Sequence, residues 1–420
     1  EITFVTEHLP EPDHPNAVEV RLRGQNGQRV NLAAKSVGGG AVVLTRIEEW
    51  PVTLTGDAHD VVVVVDREVE PAVRRRLLEQ GSTMGEPAIE MRGEDALLHL
   101  RFEVPLAGDL SELLPEAQET WAAAPIFFVP RGGPLFESAE EMVSLADERK
   151  LSLGEVALAY ESGLLGLPED EVLAEVSRRF DVMQAGVHRG LEGDLPSMQL
   201  LHPTAQRVYR AEAEGRVGVG GLHTRAAARA MAVMHVNGSM GLICAAPTAG
   251  SAGVIPGSVV TMAEEWDLDP ERAAMALLAA SAVGLIVANR ATFAAEVAGC
   301  QVEIGAAGAM AAAAVVDVAG GTVRQALDAA AISLQNTMGS ICDMVQGVVE
   351  IPCHTRNAVA ASSAFVCADL IMGGYVNPIS LDETIDASYA AGRMLPRELK
   401  CTALGGLALA PSAQAIRRLR

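Results

Sequence analysis

The sequence predicts an α+β chain in which a strand-rich first third precedes a large all-α remainder. Three observations carry that reading. Before residue 130, short runs alternate apolar and polar residues between Gly-containing breaks, the period-2 signature of strands. After residue 136 the pattern is helical almost throughout and is punctuated by Ser/Thr-x-x-Glu/Gln starts. Composition supplies the third: 49% of the 420 residues are hydrophobic and only 4% aromatic, so the core must be Ala, Val, Leu, Ile and Met. Such small side chains favour close helix contacts. At about 150 residues per domain, the length suits two or three domains.

In order along the chain, residues 17–33 read as a hairpin, with Val-Glu-Val-Arg-Leu-Arg and Arg-Val-Asn-Leu flanking Asn26-Gly27. Asn-Gly supplies the positive φ angles of a tight turn. Gly38-Gly39-Gly40 then breaks the pattern before a strand over 41–46. A strand over 61–65, a helix over 71–80, strands over 88–92 and 97–104, a weak helix over 110–120 and a strand over 126–129 follow. That βαββαβ order suits a small ferredoxin-like fold. Pro130-Arg131-Gly132-Gly133-Pro134 reads as a linker. Beyond it, Ser138-x-x-Glu141, Ser152-x-x-Glu155, Thr322-x-x-Gln325 and Ser380-x-x-Glu383 read as capping boxes, and Asp269-Pro270 as a further helix start.

Charge and cysteine usage bound the function. Lys+Arg 32 against Asp+Glu 54 gives a net charge of −22, which repels phosphate backbones and argues against a nucleic-acid partner. Six cysteines in 420 residues are too few for a disulfide scaffold. The chain opens on Glu1 with neither a basic start nor an apolar run, so no secretory signal is expected. The longest apolar stretch, 273–288, falls short of the roughly 20 residues that cross a bilayer. The expected setting is cytoplasmic, with no membrane partner.

Cys300, Cys342 and Cys353 are spaced 42 and 11 residues apart, neither a ferredoxin ladder nor a zinc ribbon. By spacing alone, each is as readily a small buried hydrophobe. Their contexts point further. Each lies beside a helix interruption or next to groups able to contact an anion, as in Ile-Pro-Cys353-His-Thr-Arg-Asn. Three thiolates on a four-iron cluster would leave one iron open as a Lewis acid. A second constellation runs from Val236 to Pro256, where Pro247, Gly250 and Gly253 forbid a regular helix and Thr248 and Ser251 offer hydroxyls. Such a loop is either a tight inter-helix turn or a carboxylate site at the start of the following helix.

Asn237-x-Ser239-Met240-Gly241, Ala246-Pro-Thr-Ala-Gly-Ser251, Cys300-Gln-x-Glu-Ile-Gly305, Cys342-Asp343, Glu350-x-Pro-Cys353, Arg356-Asn357-Ala358 and Thr402-Ala-Leu-Gly-Gly-Leu407 occur in one order across residues 136–415. Together they resemble the iron–sulfur-dependent L-serine dehydratases. His14-Pro15-Asn16 and Ser36-Val-Gly-Gly-Gly40 are similar to the end of that family's β domain. The resemblance implies three parts: a partial β domain (1–56), an ACT-like ferredoxin-like module (57–130) and an all-α catalytic domain (136–420). It implies a [4Fe-4S] cluster on Cys300, Cys342 and Cys353, whose open iron takes the substrate's hydroxyl and carboxylate. The activity implied is dehydration and deamination of a β-hydroxy amino acid, L-serine or a relative, to a 2-oxo acid and ammonia. His14, Ser251 and Arg356 are the catalytic candidates, and Asn16, Asn237, Ser239, Thr248, Ser251 and Asn357 the substrate-binding ones. A cytoplasmic homodimer is expected.

Departures from the family pattern set the alternatives. Ala252, Gly308, Met344 and Gln346 stand where relatives commonly carry Cys, Cys, Pro and Ala. The family's leading segment, which holds the base, is absent, so the base is expected upstream of Glu1, on another polypeptide, or lost from the protein. Between Asp66 and Pro71 the ACT-like module lacks the glycine usual at its ligand approach. A different β-elimination substrate (cysteine or a natural-product precursor) and a non-catalytic amino-acid-binding subunit are the rival readings. Among the remaining histidines, His354 is expected on the surface or at a cap, and His188, His202, His223 and His235 to pack or cap helices. Cys367 reads as core. Cys401 has 19 residues after it, unlike the terminal cysteine some relatives place on the open iron, and is not expected to fill that role.

Overall fold

The computed structural model describes residue 3 and residues 16–25, 27–38 and 40–419. It divides into two compact units, residues 1–37 with 41–133, and 38–40 with 134–420.

The first unit contains two four-stranded sheets. One joins β1 (Ala17–Arg23), β2 (Arg29–Gly38), β3 (Ala41–Ile47) and β4 (Trp50–Leu54) in that order. β1 and β2 make the expected antiparallel hairpin, from Ala17 opposite Lys35 to Arg23 opposite Arg29. The turn residue Asn26, like Gly39, lies outside the described residues. β4 was not expected, because Pro51 interrupts its pattern; yet Trp50, Val52 and Leu54 alternate inward as a half-buried strand requires.

The second sheet is built from β5 (His59–Asp66), α1 (Glu70–Leu78), β6 (Ala88–Arg92), β7 (Asp95–Phe102), α2 (Leu110–Leu113) and β8 (Glu119–Ala123). Its order, β6-β7-β5-β8, interleaves two split βαβ units with every neighbour antiparallel. β5 is buried on both faces, which explains its unbroken valines. Val61, Val63 and Val65 pack with Val73 and Leu77 of α1, whereas Val62 and Val64 pack with Trp50, Val52 and Leu54. Two expectations fail here. The helix over 110–120 is a single turn, and the strand over 126–129 is replaced by β8, seven residues earlier. Thr120 to Ala122 pair with β5, while Ile126 and Phe127 instead donate their N–H groups to the Gly56 carbonyl and stay exposed.

The second unit is helical: α3 (Ala139–Arg149), α4 (Leu153–Leu165), α5 (Glu169–Glu192), α6 (Ala205–Ala213), α7 (Leu222–Gly238), α8 (Val254–Glu265), α9 (Pro270–Arg290), α10 (Ala295–Ala298), α11 (Ile304–Val318), α12 (Val323–Thr337), α13 (Cys353–Met372), α14 (Leu381–Arg393) and α15 (Pro411–Gln414). Reciprocal capping boxes open α3, α4 and α12 at Ser138, Ser152 and Thr322, and Asp269 caps α9. At α14, Ser380 accepts from the Glu383 N–H, but its hydroxyl donates to the Glu383 carboxylate in place of the backbone return bond. Every residue of α11 from Ile304 to Val316 is buried, packed among α8, α9, α12 and α13. Its many Ala and Gly residues let neighbouring helices approach closely. α9, and the segment from Cys300 to Val318, are long and apolar enough to cross a membrane. However, 67% and 83% of their apolar windows are buried within the unit, as in core helices.

Candidate metal centre

Three cysteines approach one another from three separate segments. Cys300 lies on a 3-10 turn, Cys300–Val302, that leads into α11. Cys342 follows α12 in an extended stretch, and Cys353 is the first residue of α13, after a cis Ile351–Pro352 bond. All three are at most 5% exposed. The sulfurs of Cys300 and Cys342 and a Glu303 carboxylate oxygen lie within 4.8 Å of one another. Cys353 stands outside that 4.8 Å group but near it, its thiol pushed up first by burial and then by Cys300 and Glu303. Cys342 is likewise raised, by Cys300, by Cys401 and by burial. Buried thiols that crowd one another resist ionising until a cation arrives, and a coordinated metal reverses that balance. The donor set of two buried sulfurs and a carboxylate therefore fits a metal group.

Cys401 was not expected here. Cys342 donates its N–H to the Leu399 carbonyl at 2.8 Å, and its own carbonyl accepts from the Thr402 N–H at 3.3 Å. Together these pair Cys342 in parallel with Lys400. Cys401 sits inside that bridge with φ 60°, partly exposed.

Arg356 locks the ligand frame. Its Nη1 donates to the Cys300 sulfur at 3.5 Å and to the Ile341 carbonyl at 2.8 Å, while Nη2 pairs with Asp343 at 2.9 Å. The other Asp343 oxygen accepts from the Leu407 N–H at 2.7 Å. Glu350, 2% exposed, accepts three backbone N–H groups from Gln199, Leu200 and Leu201 at 2.7–2.9 Å and so fixes the entry to α13. Sequence reasoning gave Glu350 and Glu303 no role. Both stand in the quoted motifs, but a buried carboxylate looks like a surface one until its partners are known.

The 246–253 loop abuts this frame. Thr248 and Ser251 are 7% and 0% exposed, and their hydroxyls bond each other at 2.9 Å. Thr248 Oγ1 also donates to Glu303 at 2.5 Å. Burial holds the Glu303 carboxyl above its ordinary value, against the pull of Thr248. A Cβ on Gly250 would stand 2.4 Å from a Glu303 oxygen, so a larger residue there would displace the Glu303 carboxylate. Asn357 accepts the Gly253 N–H at 3.0 Å and donates to the carbonyls of Gly250 and Cys353 at 2.8 and 2.9 Å. Asn237 donates to the Ala249 carbonyl at 2.8 Å.

Other expected residues lie elsewhere. Ser239 donates to the Pro196 carbonyl at 3.1 Å and lines a cavity of about 620 Å³ that none of the four cysteines borders. Asn16 belongs to the first unit, where its carbonyl accepts from the Ser36 N–H, and His14 lies outside the described residues. His354 is not a surface residue: it is 1% exposed, with its ring 5.3 Å from that of His235. Burial lowers the pair to about 3 and about 4, so both are neutral. His202 precedes α6 instead of lying within a helix. Two of the departures serve packing: Gly308 meets Ser333 of α12, and Gln346 donates to the Ile416 carbonyl.

The chain matches known proteins over this unit and beyond. The family model described as serine dehydratase alpha chain covers residues 115–408. A probable L-serine dehydratase alpha chain of Bacillus subtilis (strain 168) is 37% identical over 284 residues, 68% of this chain and 95% of that one. The L-serine dehydratase alpha chain of Peptoniphilus asaccharolyticus is 36% identical over 285 residues, 68% of this chain and 98% of its own length. The L-serine dehydratase of Streptomyces coelicolor is 30% identical over 400 residues, 94% of this chain and 85% of the relative.

Proposed function

Because the chain belongs to the serine dehydratase alpha chain family, we propose that it is a lyase that removes water and then ammonia from L-serine or a close β-hydroxy amino acid, leaving a 2-oxo acid. The observation that supports this reading is the close group of Cys300, Cys342 and Glu303, with buried Cys353 near enough for Cys300 and Glu303 to act on its thiol. A [4Fe-4S] cluster bound to those sulfurs supplies a Lewis-acid iron for the departing hydroxyl. The chain's own residues do the remainder. Arg356 and Asp343 orient Cys300 and the 341–343 stretch, and Arg356 adds the fixed positive charge that suits a carboxylate. The Thr248–Ser251 loop, at the start of the twelve-residue α8, would receive the substrate carboxylate by opening the bonds its N–H groups and hydroxyls make to one another. Asn237 and Asn357 hold that loop in shape. His14, Asn16 and Ser239 enter the proposal on the resemblance alone.

For residues 57–130 the βαββαβ strand order supports an ACT-like module, and residues 1–56 are proposed as the end of a β domain. All six cysteines are free thiols, which suits a reducing cytoplasm; a homodimer is part of the same proposal.

Anaerobically reconstituted protein should carry close to four irons and four sulfides, show broad visible absorbance and form a 2-oxo acid from L-serine. Cys342→Ser should strip the iron. Cys367→Ser should keep it, because Cys367 is core, with a pKa raised to about 11 by burial alone. Stoichiometric zinc without visible absorbance would sink the reading.

A further inference from the structure

We propose that Cys401 is a redox partner of Cys342, and that in the metal-free chain the two thiols close into a disulfide that withdraws a ligand from the site. Three observations carry this. The backbone bonds Cys342 N–H to Leu399 and Thr402 N–H to Cys342 hold the two segments side by side. Lys400 is the residue paired with Cys342 and Cys401 follows it, so a spacing of about 4.8 Å and a rise of about 3.3 Å put its Cα about 6 Å from that of Cys342, inside the roughly 4.4–6.8 Å that a disulfide spans. Cys401 is also, after Cys300, one of the two thiols close enough to act on that of Cys342. Finally, exposure separates the four thiols. Cys300, Cys342 and Cys353 are 1%, 2% and 5% exposed, whereas Cys401 is partly open to solvent.

The chemistry follows from that difference. Hydrogen peroxide meets Cys401 first. Its O–O bond breaks, one oxygen goes to sulfur to give a sulfenic acid, and the other leaves as water. The Cys342 sulfur then attacks the Cys401 sulfur. An S–S bond forms, the S–O bond breaks, and the oxygen departs as a second water with the Cys342 proton. Two thiols and one peroxide become one disulfide and two waters. Cys300 is the competing partner for Cys342, but it is buried, its sulfur accepts a hydrogen bond from Arg356, and no backbone bond pairs it with Cys342. A dithiol reductant reverses the bond, so cluster loading would follow the reducing state of the surroundings.

The consequence for loading rests on Cys342 being a cluster ligand; the disulfide itself does not. Metal-free protein would be treated with one equivalent of hydrogen peroxide without oxygen, blocked with iodoacetamide, digested without reduction and mapped by mass spectrometry. The expected product is a Cys342–Cys401 peptide pair, two hydrogens lighter than its parts, with Cys300 and Cys353 alkylated. Cys401→Ser should abolish the pair and Cys367→Ser should keep it. A dominant Cys300–Cys342 pair, or Cys401 recovered in alkylated form, overturns the proposal. In parallel, oxidised wild-type chain should take up at least tenfold less iron than reduced chain, and Cys401→Ser should retain uptake after the same peroxide. If the variant loses uptake as wild type does, the disulfide is not what blocks loading. If reduced wild type takes up no iron while the peptide pair forms, the cluster reading fails and the disulfide stands.

Discussion

Ser251 and Thr248 pose the sharpest question for a single side chain. Their hydroxyls already satisfy each other, and Thr248 also donates to Glu303, so a substrate carboxylate would have to join a complete network. If the loop grips the carboxylate, Ser251→Ala should raise KM while leaving the cluster absorbance unchanged. Thr248→Val should do the same, since it keeps the shape and removes the hydroxyl. The loss of one hydrogen bond to a charged group, about 1.5–3 kcal/mol, corresponds to roughly 10- to 150-fold. Anaerobic kinetics at matched iron content check this. Unchanged KM in both variants places the carboxylate elsewhere, with Arg356 the next residue to test. At this scale the sequence was legible where a motif named a residue and opaque where a partner decided its role. Cys300, Cys342 and Cys353 stood out through their ordered motifs. Glu350 and Cys401 did not, because the groups that define them, Gln199 to Leu201 and Cys342, lie about 150 and 59 residues away in the chain.

Among the elements, the α4 terminus carries a pH dependence. Asp317 of α11 accepts the N–H groups of Leu153 and Gly154, yet burial raises its pKa to about 6. An unfolded aspartate titrates near 3.9. Its folded pKa is raised, so the stabilisation is complete below about pH 4 and is lost as pH rises through about 6. Two pKa units amount to roughly 1–3 kcal/mol after allowance for partial solvent contact. Asp317→Asn keeps an acceptor for Leu153 and removes the charge. Urea midpoints at pH 4.5 and 7 should therefore differ less in the variant than in wild type, and an equal difference would clear Asp317 of the effect. Helix starts were readable because a cap is a local event: Ser138, Ser152, Asp269 and Thr322 each bond within three residues. Strand β8 was not readable, because what selects Glu119–Ala123 over the more apolar Ile126–Val129 is pairing with β5, some sixty residues earlier.

Across the whole molecule, the helical core and the ligand frame should separate on metal removal. The core is centred on α11 and, although it also takes in Cys300 and Cys342, most of it is helix–helix packing away from the frame. The frame gathers the 3-10 turn at Cys300, the 341–343 stretch, the start of α13 and the 399–402 segment. Chelation should therefore lower the melting temperature by several degrees, since a bound group stabilises only the folded state, while far-UV helicity at 25 °C stays close to that of the loaded protein. Identical melting curves would mean that the frame holds no stabilising metal. Asn357 has one more effect. By bonding Cys353, Gly250 and Gly253 at once, it makes the ligand helix and the loop a single rigid part. Rigidity of that kind converts handedness into distance. A D-amino acid gripped by the same carboxylate loop would direct its hydroxyl away from the cysteines, and with no slack between the two parts the loop could not swing to compensate. Enantioselectivity would then depend on the one amide side chain that ties the loop to α13.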